Sequence, residues 1–189
     1  IDLLSAASND VIVMGAKPIT FLDYIANDKL NPKIIDKIVS GMAVACRENG
    51  ESLVGGETAE MPDEYLEGEH DLVGIVTGIV EKDKIIDGSK ITPGDVVLGL
   101  PSNGLHTNGY SLARKILFEV GGYTVDDEIS ELDKSVGHTL LEPHINYTTH
   151  IFSIIESPTP IKGIAHITGG GLIENIPRIL PMNTSVLID

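Results

Sequence analysis

Acidic residues follow a pair of glycines in one short segment, Gly55-Gly56-Glu57-Thr58-Ala59-Glu60. Two glycines at the end of a strand let the backbone approach a ligand closely or adopt a left-handed conformation. Carboxylates on such a turn, here Glu57 and Glu60, can bind Mg²⁺ or position a nucleophile. A tight turn with solvated acids would explain the same residues, so the pattern alone leaves both interpretations open.

A second candidate is the pair Asn9-Asp10, which lies in an otherwise apolar helical pattern. Asn and Asp compete with helical hydrogen bonding, so helix propensity does not explain the pair. A buried Asp would have to be hydrogen-bonded, paired or bound to a metal ion. The alternative is a narrow solvent-exposed face of the helix.

Two glycine-containing loops, residues 102–111 and 166–171, form the third candidate. Each is predicted to join a strand to a helix, and each contains a histidine, His106 or His166, and a threonine. Free backbone N–H groups at a helix N-terminus favour phosphate, and imidazole titrates near neutral pH. Neither loop contains the lysine of a phosphate-binding loop or the dinucleotide fingerprint. Plain connecting loops remain the alternative.

The elements that must position these residues follow from periodicity and turn signals. We predict helices over residues 3–14, 32–50, 111–120, 147–156 and 172–180, and strands over residues 19–26, 53–54, 72–80, 96–100 and 161–167. Residues 122–137 are acidic and poor in apolar side chains, which indicates a surface excursion. Turn signals near residues 85–87 predict a boundary between residues 1–85 and 86–189. The fold class is α+β in two parts.

Composition excludes several functions. The net charge of −15 over 189 residues argues against a nucleic-acid surface, although a nucleotide held by Mg²⁺ and backbone N–H groups remains compatible. No apolar run approaches the roughly 20 residues that cross a bilayer, and no secretory signal opens the chain. The single cysteine, Cys46, suits a reducing cytoplasm.

Several segments resemble the phosphoribosylformylglycinamidine cyclo-ligase family, the aminoimidazole ribonucleotide (AIR) synthetases. The residues that carry the resemblance are Leu53-Val-Gly-Gly-Glu-Thr-Ala-Glu-Met-Pro62, Asn9-Asp10 with Gly15-Ala16, Phe21-Leu-Asp-Tyr24, Ile85-Ile-Asp-Gly88, His106-Thr-Asn-Gly-Tyr-Ser-Leu112, His166-Ile-Thr-Gly-Gly-Gly171 and Glu174-Asn-Ile-Pro-Arg178. They occur in family order and span nearly the whole chain.

The resemblance implies an ATP- and Mg²⁺-dependent ring closure in purine biosynthesis. ATP phosphorylates the amide oxygen of formylglycinamidine ribonucleotide, a substrate nitrogen attacks, and phosphate leaves as the imidazole ring of AIR closes. The protein contributes positioning and charge neutralisation.

Residue roles are implied by motif match. Asp10 and Glu57 would hold the Mg²⁺ of Mg–ATP and converge on one cleft, and His106 would lie at the reacting amide. Further nucleotide contacts are expected from Asn9, Gly55, Gly56 and Thr58, and contacts to the substrate phosphate from Asn108, Ser111, Thr168, Gly169, Gly170 and Gly171.

The resemblance also implies a two-domain architecture. The N-terminal domain would bind ATP and contain a mixed sheet that pairs in a homodimer, with residues 73–80 as a buried central strand. The C-terminal domain would be an α/β sandwich. The family carries a glycine-rich loop before the position of Ile1 and a further portion beyond Asp189, so we expect both ends to be truncated and this chain alone to lack part of the nucleotide site.

Two alternatives remain. One is another ATP-using member of the superfamily, such as formylglycinamidine synthase, selenophosphate synthetase, thiamine-monophosphate kinase or a hydrogenase-maturation protein. The other is a non-catalytic nucleotide-binding module.

Overall fold

The first half of the chain folds as a three-stranded sheet with two helices on one face. The structure, a computed structural model, describes residues 1–188. Its elements here are α1 (Asp2–Ile12), β1 (Lys17–Asn27), α2 (Pro32–Asn49), β2 (Ser52–Glu60) and β3 (His70–Ile79). The strand order is β2-β1-β3, with β2 parallel and β3 antiparallel to β1. The predicted mixed sheet is therefore confirmed.

Local sequence signals set the limits of α2. The side chain of Asn31 accepts a hydrogen bond from the backbone N–H of Lys33 at 3.1 Å, and Pro32 occupies the first helical position. Gly50 ends the helix with φ 70°, a left-handed conformation that glycine adopts without strain. This helix agrees with the sequence prediction.

The core lies between the helices and the sheet. Leu4 of α1, Phe21 of β1, and Met42, Ala45 and Cys46 of α2 form one buried cluster. Burying a large apolar side chain contributes about 1.5–3 kcal/mol, so this cluster is what holds α1 and α2 on the sheet.

The prediction of an exposed turn at Gly55–Glu60 is wrong. Strand β2 continues through these residues, and Gly56 and Glu57 pair with Asp23 and Tyr24 of β1. A Cβ atom on Gly56 would collide with the carboxylate and carbonyl oxygens of Asp23. The glycine is thus required by close strand packing, which a turn-based interpretation of Gly-Gly overlooks.

Strand β3 is also placed differently from the prediction. It was expected to be a central strand, and it is an edge strand in the order β2-β1-β3. One of its faces packs on the helices, since Gly74 lies against Phe21 and Leu3. Ile75 and Ile79, on its other face, are 55% and 62% exposed.

The second half contains short helices joined by long loops. They are α3 (Tyr110–Arg114), a π-helical turn at Lys115–Val120, α4 (Val136–Leu140), α5 (Thr148–Ile155), α6 (Gly171–Asn175) and a 3₁₀ turn at Ile176–Ile179. The helices predicted over residues 111–120 and 172–180 are therefore each interrupted, because their second halves leave the α conformation.

The strands predicted over residues 96–100 and 161–167 are wrong. Both segments lack strand pairing, and between Ile79 and Ile188 the described chain shows a single isolated bridge, Glu128 to Ser135. Val96 and Leu98 are 83% and 84% exposed. A strand requires a neighbouring strand for its backbone groups, and these segments have none within residues 1–188.

Membrane insertion through a helix finds no support in the fold. None of the helices within residues 1–188 is long and apolar enough to cross a bilayer.

Candidate active site

The polar end of α1 joins the first half of the chain to the second. Asn9 is 2% exposed. Its Oδ1 accepts a hydrogen bond from the backbone N–H of Tyr147 at 3.0 Å, and its Nδ2 donates to the carbonyl of Ile145 at 2.9 Å. The unusual Asn in this helix is therefore buried and satisfied by backbone groups of a distant segment, which excludes the solvent-face alternative for Asn9.

Three histidines from different segments meet beside Asn9. The ring of His144 stacks on that of His106, with centroids 4.3 Å apart and planes 18° apart. The ring of His166 is tilted by 58° to that of His144, with the two centroids 5.8 Å apart. We refer to His106, His144 and His166 as the histidine cluster.

Asp10 pairs with the third member of the cluster. Its Oδ1 lies 2.7 Å from Nδ1 of His166, while most of its carboxylate remains exposed. Asp10 and Asn9 point in different directions because successive residues of an α-helix are rotated by about 100°. One carboxylate oxygen of Asp10 is thus left free for a ligand.

His106 sits on an unusual turn. His106 and Thr107 have φ values of 49° and 65°, which non-glycine residues adopt at a cost. The ring of His106 contacts the side chain of Asn103. Burial lowers the pKa of His106, the neighbouring His166 lowers it further, and Asp2 opposes both effects. The imidazole therefore favours its neutral form, as a group that accepts a proton near neutral pH requires.

The Gly169–Gly171 loop is shaped by Asn175. The Nδ2 of this buried residue lies within 3.3 Å of the carbonyl oxygens of Thr168, Gly169 and Gly171. Thr168 also donates to Oδ1 of Asn175 at 3.2 Å. Gly170 has φ 90°, and a Cβ atom there would collide with the side chain of Glu174. The amide thus draws the loop carbonyls inward.

The two glycine loops approach each other through Asn108. Its Nδ2 donates to the carbonyl of His106 at 3.2 Å, and its Oδ1 would lie 3.8 Å from a Cβ atom on Gly169. Ser111 lies exposed in the first turn of α3. The structure therefore brings Asn9, Asp10, His106, Asn108 and the 168–171 loop into one region.

Glu57 lies elsewhere. Glu57 pairs with Tyr24 of the central strand β1. Asp10 lies near the other end of β1, because the neighbouring residue Val11 packs on Gly78, and Gly78 pairs with Pro18. Six residues of β1 separate Pro18 from Tyr24, or about 20 Å along the strand. Gly55, Gly56 and Thr58 lie beside Glu57 on β2. The expectation that Asp10 and Glu57 converge within one chain is therefore wrong, because Glu57 and the residue next to Asp10 contact positions of the sheet that are about 20 Å apart.

A bare metal ion has no ready site in the described part of the chain. No group of three or more His, Cys, Asp or Glu side chains is arranged to hold one within residues 1–188. Mg²⁺ carried on a nucleotide needs one or two carboxylates, with phosphates and water as its other ligands. The free oxygen of Asp10 fits that requirement.

Two clefts border these regions. One of about 320 Å³ is lined by Asp2, Thr107, Tyr110, Leu140, Leu141 and Glu142 and adjoins the histidine cluster. A larger one of about 610 Å³ is lined by Asp28, Lys29, Glu60 and residues 62–67 and lies at the end of β2. The smaller cleft is the one next to the histidine cluster, because Thr107 lines it.

Sequence reasoning missed His144 and Asn175. His144 lies in Pro-His-Ile-Asn, a segment with neither glycine nor periodicity to attract notice, and its partners are distant in sequence. Asn175 lies within a resembling segment but was assigned no role. A polar residue inside a helical pattern, as with Asn9, is the signal that could have indicated it.

Comparison with known proteins identifies the class. The family model described as "AIR synthase related protein, N-terminal domain" matches residues 1–80, and the corresponding C-terminal domain model matches residues 92–189. The chain belongs to the AIR synthase related family.

Individual relatives with high sequence identity include phosphoribosylformylglycinamidine cyclo-ligases. The chain is 52% identical over 188 residues to a phosphoribosylformylglycinamidine cyclo-ligase of Syntrophotalea carbinolica, covering 100% of this chain and 53% of that protein. It is 50% identical over 188 residues to the one of Alkaliphilus oremlandii, covering 100% and 55%. The chain thus spans about half the length of the curated relatives it matches.

Solved structures share the fold. Thiamine-monophosphate kinase from Stenotrophomonas maltophilia K279a aligns with a TM-score of 0.64 at 18% identity, over 93% of this chain and 51% of that one. The hydrogenase maturation protein HypE of E. coli aligns with a TM-score of 0.56 at 19% identity, over 83% and 44%. At these identities the similarity establishes the architecture alone, and it supports the predicted α+β class.

Proposed function

We propose that the whole protein is an ATP-dependent cyclo-ligase that converts formylglycinamidine ribonucleotide to 5-aminoimidazole ribonucleotide, with release of ADP and phosphate. The observation that carries the proposal is about 50% identity to cyclo-ligases over the entire chain. The similarity to thiamine-monophosphate kinase and HypE is below 20% identity and favours neither alternative activity.

The substrate would react beside the histidine cluster. His106, held neutral by burial, would accept or relay a proton at the reacting amide. Asn108 and the 168–171 loop, with Ser111 nearby, would receive the ribose phosphate through backbone N–H groups and amide donors. ATP would supply the phosphoryl group that turns the amide oxygen into a good leaving group.

Two separate regions would serve the nucleotide. The free oxygen of Asp10 would bind Mg²⁺ and Asn9 would fix the helix end that carries it. Glu57, with Gly55, Gly56 and Thr58, would contact the nucleotide from β2. Because Asp10 and Glu57 lie far apart in one chain, we assign them to different parts of the nucleotide site. Residues 1–85 would form the nucleotide-binding domain and residues 86–189 part of the second domain.

A homodimer would cover the open face of the sheet. Leu22, Val73, Ile75 and Ile79 are 37–62% exposed on the face opposite α1 and α2. An apolar sheet face of this kind is typical of a protein interface. We assign it to a second copy of the chain. A cytoplasmic location agrees with Cys46, which is a free and buried thiol.

Activity assays on the full-length protein test the proposal. We expect ADP and the aminoimidazole product when formylglycinamidine ribonucleotide and Mg–ATP are supplied, and no turnover with thiamine monophosphate. Glu57→Gln should abolish ADP release while circular dichroism and the urea midpoint remain unchanged. Glu67→Gln, an exposed acid after β2, is the matched control. Near-normal turnover by Glu57→Gln would remove Glu57 from the site, and wild-type protein that turns over only another acceptor would refute the cyclo-ligase.

A further inference from the structure

His144 is the most deeply buried member of the histidine cluster. It is 2% exposed, and its ring lies near those of both His106 and His166. It was absent from the residues expected to act in the site, and the proposed reaction gives it no proton to carry. The role of this buried imidazole therefore has to be inferred from its hydrogen bonds.

Its protonation state follows from Asn9. The amide of Asn9 has one possible orientation, because Oδ1 accepts from the N–H of Tyr147 and Nδ2 donates to the carbonyl of Ile145. The same Nδ2 lies 3.1 Å from Nε2 of His144. Nε2 must therefore accept a hydrogen bond and carry no proton.

The proton of His144 is consequently on Nδ1. This nitrogen lies 3.2 Å from Oγ1 of Thr107. The hydroxyl of Thr107 donates its own hydrogen to the carbonyl of His106 at 2.5 Å, which leaves a lone pair to accept from His144. The hydrogen bonds thus run from Asn9 through His144 and Thr107 to the backbone of His106.

We propose that His144 is a positioning residue whose neutral Nδ1–H ring holds the His106–Thr107 turn against α1 and thereby presents His106 to the substrate. Both residues of this turn have left-handed φ values, which are unfavourable for non-glycine residues and persist where surrounding contacts hold them. The ring stack and the bond to Thr107 are such contacts. The consequence for catalysis rests on the proposed function.

The electrostatic environment agrees with a neutral ring. Burial lowers the pKa of His144 to about 4, and His106 and His166 lower it as well, whereas Asp2 and Asp10 of α1 oppose the shift. Folded-state protonation would also set a ring N–H against the donor of Asn9. His144 should therefore remain uncharged near neutral pH.

Nitrogen-15 NMR of the ring nitrogens in the full-length protein tests the geometry without reference to activity. We expect His144 in the neutral Nδ1–H form with no titration between about pH 5.5 and 8, unlike an ordinary histidine with a pKa of about 6.5. A neutral Nε2–H form, or a titration midpoint near 6.5, would overturn the inference.

Kinetics test the consequence. His144→Phe retains a flat ring for stacking but loses both nitrogens, so we expect kcat to fall about 10- to 100-fold with KM for ATP little changed. In a His106→Ala background the same substitution should have almost no further effect, because it acts through His106. His150→Phe, on the exposed face of α5, is the matched control. A full, additive loss in the His106→Ala background would show a general structural role and refute the proposal.

Misfolding of His144→Phe and absence of cyclo-ligase activity in the wild-type protein each call for a different measurement. If His144→Phe does not fold, Thr107→Val removes only the hydroxyl of an exposed residue and should lower kcat in the same way; an unchanged kcat refutes the proposal. If the wild-type protein lacks cyclo-ligase activity, the proposed function fails, and the NMR measurement alone then decides the role of His144.

Discussion

Replacing Asn9 by Leu should strongly destabilise the protein, although the two side chains have similar volumes. Leucine has a similar volume but forms none of the three hydrogen bonds of the amide, which join α1 to His144, Ile145 and Tyr147. Three partners are then left unsatisfied in a region that is largely buried. An unsatisfied buried polar group costs about 1–3 kcal/mol, so the loss of three hydrogen bonds should lower the free energy of unfolding by about 3–9 kcal/mol. That is a large part of the about 5–15 kcal/mol typical of a folded domain.

Urea denaturation of the full-length protein, followed by circular dichroism, measures the effect. Asp10→Asn is the matched control, since Asp10 is the next residue, is mostly exposed, and makes one contact, to His166. Even as an ion pair, such a partly exposed contact is worth about 0–1 kcal/mol, so the control should change stability by no more than that. A loss below about 1 kcal/mol for Asn9→Leu would mean that water replaces the amide freely, and the inferred tie between the two halves would be refuted.

Three further predictions concern the sheet and its helices. Burial raises the pKa of Glu51, so the folded protein retains a proton that the unfolded chain releases. The free energy of unfolding should therefore fall as the pH rises from about 4.3, the ordinary pKa of Glu, through the raised pKa of the folded state. Glu51→Gln should remove that decline in urea titrations across pH, and an unchanged slope would contradict the assignment. Gly56→Ala should cost about 1–3 kcal/mol through its collision with Asp23, whereas Gly41→Ala, with open space around it in α2, should stabilise by about 0.5–1 kcal/mol; equal effects would contradict the packing argument. Ile75→Lys should convert the proposed dimer to a monomer in sedimentation experiments, whereas Glu48→Lys, at an exposed position of α2, should leave it intact; a monomeric wild type would contradict the proposed interface.

Helix limits were predictable wherever the signal was local. The Asn31-Pro32 start and Gly50 end of α2 act within a few residues of the helix itself, and the structure retains both. The same holds for Gly15, which has φ 74° after α1. Such residues specify their own backbone conformation whatever the remaining chain does.

Strands were harder to predict, because a strand forms only beside another strand, and the sequence does not show which segments will be neighbours. Residues 96–100 have the composition of a buried strand, yet they have no neighbouring strand within residues 1–188 and remain exposed. The opposite error occurred at Gly55-Gly56, where glycines typical of a turn lie inside a strand because Asp23 leaves no space for a side chain. Both errors arise because strand formation is a tertiary property.

The sequence indicated most polar residues of the candidate site, but it did not indicate which of them lie close together. Asn9, Asp10, His106 and the 168–171 loop were chosen for their types and spacing, and the structure brings them together. Glu57 was chosen on the same grounds and lies apart. His144 was missed because the contacts that define it, with Asn9 and His106, span 135 and 38 residues of sequence.

The last turn of α1 explains why three polar residues interrupt an apolar helix. Ser8 donates to Glu51 at 2.6 Å, Asn9 binds the 144–147 segment, and Asp10 pairs with His166. Each residue of an α-helix is rotated by about 100° from the previous one, so three adjacent side chains necessarily reach three different neighbours. One helix end thereby fixes the start of β2, the buried centre of the histidine cluster and the approach to the second glycine loop. A substitution at residue 8, 9 or 10 should therefore disturb a different neighbour in each case, and of these three residues it is Asn9 that bonds the ring stacked on His106.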